Sequence, residues 1–211
     1  MLKDYEKEQF IAYTIIKQSI MNDKLSHAYL INSNNYEKAF DFSLSIAKYI
    51  FCSNHFENFS SETCLNCNIC SRIDSFNYPE LKIISSDSAV IKKEQLLDLQ
   101  SEFNLSSVEN KYRIYIIKDC DKMNKQASNC LLKFLEEPVS NVVAILLTNC
   151  FSNVLSTIVS RCQILRLNNL SSCDKRNTLE SFLVSSDNNG TFENDYSSEE
   201  KEKVLDNVLE F

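Results

Sequence analysis

Residues Lys111–Gln163 read KYRIYIIKDCDKMNKQASNCLLKFLEEPVSNVVAILLTNCFSNVLSTIVSRCQ. An apolar run, Ile114 to Ile117, ends in the acids Asp119 and Asp121. A helical pattern follows. Asn124 heads it, because its side chain can accept from N–H groups two or three residues on. Pro138 forbids its continuation, so the helix is expected to stop near Glu136. A second apolar run, Val142 to Leu147, ends in Thr148-Asn149, and Ser160-Arg161-Cys162 closes the block. Continuous apolar runs suit strands covered on both faces, as in a parallel sheet.

Working outward, Ala28 to Ile31, Leu81 to Ser85 and Gln163 to Leu167 read as further strands. With Arg113 to Ile117 and Val143 to Thr148 they make five. Tyr36 to Ile50 carries Ala39, Ser43, Ile46, Ala47 and Ile50 at helical spacing. A helix is also expected from near Lys92 to Phe103, and a short one over Val154 to Val159. Phe10 to Gln18 fits an amphipathic helix only loosely. Strand–helix alternation predicts an open α/β sheet. Composition changes after Asn169, where Ser171 to Val184 and Ser197 to Leu209 read as helices around a polar stretch. The expected organisation is a core domain over 1–168 and a small helical domain over 169–211.

The chain has 211 residues, enough for one α/β domain and an appendage. A net charge of −7 argues against strong autonomous binding to nucleic acid, whose phosphates reward clustered cations. One glycine in the whole chain leaves no material for a glycine-rich phosphate loop. No stretch approaches the roughly 20 apolar residues of a membrane span. The N-terminus, MLKDYEKEQF, is charged and lacks the apolar region of a signal peptide. The cytoplasm is the expected location, with cysteines reduced or metal-bound.

Nine cysteines are present. Cys52 and Cys64-x-x-Cys67-x-x-Cys70 form the strongest local signal. Thiolates three residues apart in a tight turn can share one zinc ion, and four thiolates complete a tetrahedron. Cys64, Cys67 and Cys70 supply three ligands. Cys52 is the fourth candidate and His55 its competitor. A closed site of this kind is structural, because no coordination position stays open. Cys120, Cys130, Cys150, Cys162 and Cys173 sit in or beside apolar runs and are expected to be buried.

The order and spacing of Lys111–Gln163 resemble the nucleotide-binding core of the bacterial clamp-loader subunits of DNA polymerase III, which are AAA+ proteins. The pattern is nearest to the delta-prime type. The resemblance implies a RecA-like core with a five-stranded parallel sheet, a zinc module inserted at 52–70, a helical lid, and a collar domain that would begin where this chain ends. It implies gamma/tau and delta subunits as partners, with the sliding clamp and primed DNA reached through them.

In active members the first strand runs into Gly-x-x-x-x-Gly-Lys-Ser/Thr, whose amides cradle phosphate. Here His27 to Ile31 leads into Asn32-Ser33-Asn34-Asn35-Tyr36-Glu37-Lys38-Ala39. Both glycines and the metal-binding hydroxyl are missing. The acidic pair expected after the third strand is Lys118-Asp119, so a cation replaces a magnesium ligand. The chain is therefore expected to hold and hydrolyse no ATP of its own. Thr148-Asn149 stands at the place of a phosphate-reading polar residue, now vestigial. Arg161 is intact, and the resemblance implies that it reaches a neighbour's ATP in trans. The helix start at Lys92-Lys93 is a candidate phosphate contact for DNA. Asp119 and Asp121 are expected to be solvated or capping carboxylates, and His27 a packing residue. Two other readings stay open: a gamma/tau-like ATPase with an atypical phosphate loop, and a zinc-based nucleic-acid-binding module.

Overall fold

The computed structural model describes residues 2–52, 67–85, 90–103 and 109–168, within the compact unit Met1–Asn169. The helices expected beyond residue 169, together with His55, Cys64 and Cys173, lie outside the described residues. Five strands form one sheet: β1 (Ala28–Asn32), β2 (Leu81–Ile84), β3 (Arg113–Ile117), β4 (Val142–Thr148) and β5 (Gln163–Arg166). Their order is β2-β3-β4-β1-β5 and every pairing is parallel. The expected α/β sheet is thus present with all of its strands.

Helices cover both faces. On one side lie α1 (Phe10–Met21) and α2 (Tyr36–Phe51), followed after the cysteine insert by α3 (Asn68–Asp74). On the other lie α4 (Lys93–Phe103), α5 (Lys125–Glu136) and the short α6 (Ser156–Val159). Successive strand side chains point to opposite faces. Ile114, Ile116, Val143, Ile145 and Leu147 therefore pack with Ile16, Phe42 and Ile46. Tyr115, Ile117, Ala144 and Leu146 pack with Leu96, Leu131, Leu135 and Ile158. All seven residues of β4 are buried, which explains its unbroken apolar run.

Asn124 caps α5 as expected, its side chain accepting from the Ala127 N–H at 2.7 Å. The helix expected over Val154 to Val159 is shorter. A 3-10 turn at Phe151–Asn153 precedes it and α6 starts at Ser156. The loose apolar pattern of α1 also has a cause: Phe10 and Ile11 are exposed, while Tyr13, Ile16 and Ile20 are buried. Just before α1, buried Gln9 donates to the Asn168 carbonyl at 2.7 Å and accepts from the Asn168 N–H at 2.7 Å. One side-chain amide thus ties the start of the described chain to its end.

The chain leaves β1 for one edge of the sheet and leaves β4 for the other. The crevice beyond the carboxyl ends of β1 and β4 is the switch point, where ligands of such sheets bind. It receives the turn after Asn32, the residues after Ile117 and those after Leu147.

Candidate functional site

The turn after β1 is closed by its own short polar side chains. The Ser33 N–H donates to the Thr148 carbonyl at 3.1 Å. The Ser33 hydroxyl accepts from the Asn35 N–H at 3.2 Å and donates to the Asn35 carbonyl at 3.0 Å. Asn35 is the N-cap of α2, and its side chain accepts from the Lys38 N–H at 3.0 Å. The Ala39 N–H bonds the Asn35 carbonyl at 3.1 Å. A phosphate loop works by leaving such amides free for the ligand. Here they are consumed locally. The cap was legible in principle, since Asn immediately before a helical pattern is a start signal.

The cations near this turn are also engaged. Lys38 forms an ion pair with Glu8. The Lys118 ammonium sits 3.5 Å from the centre of the Phe40 ring and 5.8 Å from that of Tyr36. A cation over a ring face is held by the ring quadrupole. Burial lowers the Lys118 pKa, and the Asp119 and Asp41 carboxylates pull it the other way. Burial first, and then the Asp119 charge, push the Tyr36 hydroxyl far up, so it stays protonated. Asp119 adopts a left-handed backbone, φ 52° and ψ 50°, and pairs with Lys122 at 3.2 Å.

Asp121 differs from the solvated or capping carboxylate expected. It accepts from the Thr148 hydroxyl at 2.7 Å, and that hydroxyl in turn accepts from the Cys150 N–H at 3.1 Å. Thr148 is itself buried. The residue at the phosphate-reading position thus serves the internal link between β4 and the turn after β3.

Arg161 follows α6 on the turn into β5. Its Nη1 donates to the Thr157 carbonyl at 2.9 Å, and its Nη2 to Glu136 Oε1 at 2.8 Å. The side chain keeps 35% of its accessibility. It is a partly exposed guanidinium with two anchors, able to meet an anion from outside the chain.

Three of the four candidate zinc ligands converge. Cys52 caps the C-terminus of α2, and Cys67 is the N-cap of α3, with its sulfur accepting from the Cys70 N–H at 3.3 Å. The sulfurs of Cys52, Cys67 and Cys70 lie within 4.8 Å of one another, with Cys52 and Cys67 3.6 Å apart. Thiolates bonded to zinc at about 2.3 Å sit about 3.8 Å from each other in a tetrahedron. The three thiols, none of them in a disulfide, fit a soft divalent ion. Of the remaining cysteines, Cys120 and Cys130 are buried as expected, whereas Cys150 and Cys162 are only half-buried. Cys150 lies beyond the end of the central strand β4, and Cys162 just before the edge strand β5.

The family described as "DNA polymerase III, delta subunit" matches residues 8–171. The chain belongs to this family. DNA polymerase III subunit delta-prime of Bacillus subtilis (strain 168) is 40% identical over 151 residues, which cover 72% of this chain and 45% of that one. A solved DNA polymerase III gamma subunit-related protein of Thermotoga maritima superposes with a TM-score of 0.57 at 20% identity, covering 81% of this chain and 49% of that one. The DNA clamp loader delta protein of Bacillus subtilis superposes at 0.51 and 8% identity, covering 82% and 47%. At those identities the two structures establish the fold alone, the α/β core with a five-stranded parallel sheet. The chain spans about half the length of the relatives it matches.

Proposed function

We propose that the chain acts as a non-hydrolysing, delta-prime-like subunit of the DNA polymerase III clamp loader. In this reading it forms one wall of the loader ring in the bacterial cytoplasm, beside gamma/tau and delta subunits, during loading of the sliding clamp on primed DNA. Arg161 enters the ATP site of the adjacent gamma/tau subunit. A guanidinium suits that task, being always charged and able to fork onto phosphate oxygens.

The observation that carries the reading is a contrast within one domain. The Ser33, Asn35 and Lys38 amides and the Lys38 and Lys118 cations at the turn after β1 are engaged by groups of the turn and its surroundings, while Arg161, though anchored to Thr157 and Glu136, keeps a partly exposed guanidinium with donors to spare. The same contrast disfavours a gamma/tau-like ATPase. Titration of the chain with magnesium-ATP is expected to give no calorimetric signal up to millimolar concentration. Micromolar, magnesium-dependent binding would restore the ATPase reading.

The cysteine cluster belongs to the same proposal as a structural zinc site. Cys52, Cys67 and Cys70 supply three thiolates and Cys64 the fourth, closing the loop between α2 and α3. Metal analysis of purified chain should return one zinc per molecule, and Cys67→Ser should release it. A metal-free chain with unchanged stability would refute the site. A zinc-based nucleic-acid module is disfavoured by the net charge of −7. Among the described residues, no helix is long and apolar enough to cross a membrane.

A further inference from the structure

Two glutamates, Glu136 and Glu137, end α5. A helix C-terminus carries partial negative charge, so carboxylates there are disfavoured, and they cannot cap the last carbonyls. Local helix physics therefore gives no reason for Glu136. Its reason lies 25 residues away, where Glu136 Oε1 accepts from Arg161 Nη2 at 2.8 Å.

The pair has the geometry of a mount. Arg161 Nη1 is held by the Thr157 carbonyl at 2.9 Å and, more loosely, by the Ser160 hydroxyl at 3.4 Å. Those contacts come from α6 and the turn directly after it. Glu136 adds one from a different helix, so the guanidinium plane is fixed from two elements. The contact is single rather than forked, and Nε has no partner among the described residues. Donors therefore remain for a second anion. Glu136 and Arg161 side chains are 50% and 35% exposed, so the pair faces solvent.

We infer that Glu136 is a positioning residue for Arg161, holding the guanidinium ready for the neighbour's phosphate; the inference rests on the trans-acting role proposed above for Arg161. Arginine loses considerable rotamer freedom when it engages an anion. Glu136 spends part of that loss before the subunits meet. A carboxylate also repels the incoming phosphate, so an uncharged acceptor of the same shape does the task at least as well.

The test is single-turnover ATP hydrolysis by the reconstituted loader with Glu136→Ala, Glu136→Gln, Arg161→Ala and the Arg161→Ala/Glu136→Ala pair. Glu136→Ala should lower kcat at the served site by about tenfold, the value of a part of arginine's rotamer freedom, with KM little changed. Glu136→Gln should keep the wild-type rate or exceed it. The double variant should be no slower than Arg161→Ala alone, since positioning without the finger is worth nothing. Glu137→Ala, one residue on, should leave turnover unchanged. An equal loss from Glu136→Ala in the presence and absence of Arg161 would overturn the inference while leaving the finger intact. Wild-type turnover in Arg161→Ala would overturn the finger itself, and the inference with it. The isolated chain supplies an arm free of that reading. The Nε–Hε resonance of Arg161 should show restricted motion in the wild type and Glu136→Gln, and fast motion in Glu136→Ala. Equal mobility in all three would overturn the positioning role.

Discussion

On the trans-acting role proposed for Arg161, Arg161→Ala is expected to slow ATP hydrolysis at the adjoining subunit's site by on the order of 10³-fold, the low end for a trans-acting arginine. In the reconstituted loader this would appear as a slow phase in single turnover, confined to the site that the proposal assigns to Arg161. The folded chain should be indifferent to the change. The Arg161–Glu136 pair is solvent-facing, and such pairs contribute about 0–1 kcal/mol. Thermal unfolding of the variant should therefore match the wild type, which separates lost chemistry from lost structure. Arg161→Lys keeps the charge and loses the planar fork, so it should recover only a small part of the rate. Unchanged hydrolysis in Arg161→Ala would remove the chain from the neighbour's site.

That prediction depends on an asymmetry that only the structure reveals in full. The sequence exposes missing glycines before α2 and a lysine after β3. Those are absences, and an absence does not say what fills the space. The Ser33 and Asn35 side chains take the turn's amides. Lys118 folds onto Phe40. These contacts make the turn a capped helix start. Repairing one lesson of the motif, for example Lys118→Asp, would leave the other contacts in place.

The legible part of the fold was the part governed by near neighbours along the chain. Continuous apolar runs gave the strands, because both faces of each are covered by helices. Pro138 and Asn124 marked the ends of α5 by backbone chemistry alone. The illegible part consists of polar pairs distant in sequence. Gln9 holds Asn168, Glu136 holds Arg161, and Thr148 holds Asp121. Nothing in the local pattern names such partners, since a polar residue beside an apolar run looks the same whether it is solvated or paired. Glu136 alone among them carries a local signal that could have pointed to a partner, though the reading of Lys111–Gln163 did not use it. Acids at a helix C-terminus run against the dipole and so ask for a partner elsewhere.

A further distant pair, buried and ionic, predicts the largest change in stability. Glu80 stands just before β2 with its side chain 1% exposed, and Arg113 opens β3. The Arg113 Nε lies 3.0 Å from Glu80 Oε2. Its Nη1 donates to the Phe103 carbonyl at 3.1 Å and its Nη2 to the Glu102 carbonyl at 3.0 Å. The guanidinium also stacks 4.3 Å from the centre of the Phe103 ring. One arginine therefore neutralises a buried carboxylate and satisfies the last turn of α4. Arg113→Ala removes the cation beside the buried Glu80 carboxylate, at a cost of about 3–5 kcal/mol. That is a large fraction of the roughly 5–15 kcal/mol that holds a domain together. Urea denaturation should show a midpoint shifted far down, with the slope unchanged. Glu80→Gln in the same background should recover part of the loss, because a neutral amide needs no counter-charge and can still accept from the Glu109 N–H, now 3.2 Å from Glu80 Oε1. The carbonyls of Glu102 and Phe103 would still lack their donor, so recovery should stop short of the wild type. A cost below about 1 kcal/mol for Arg113→Ala would mean that water reaches Glu80 and that the pair behaves as a surface one. Lys118 and Asp119 follow directly on the far end of β3, where Lys118 packs on the Phe40 ring of α2.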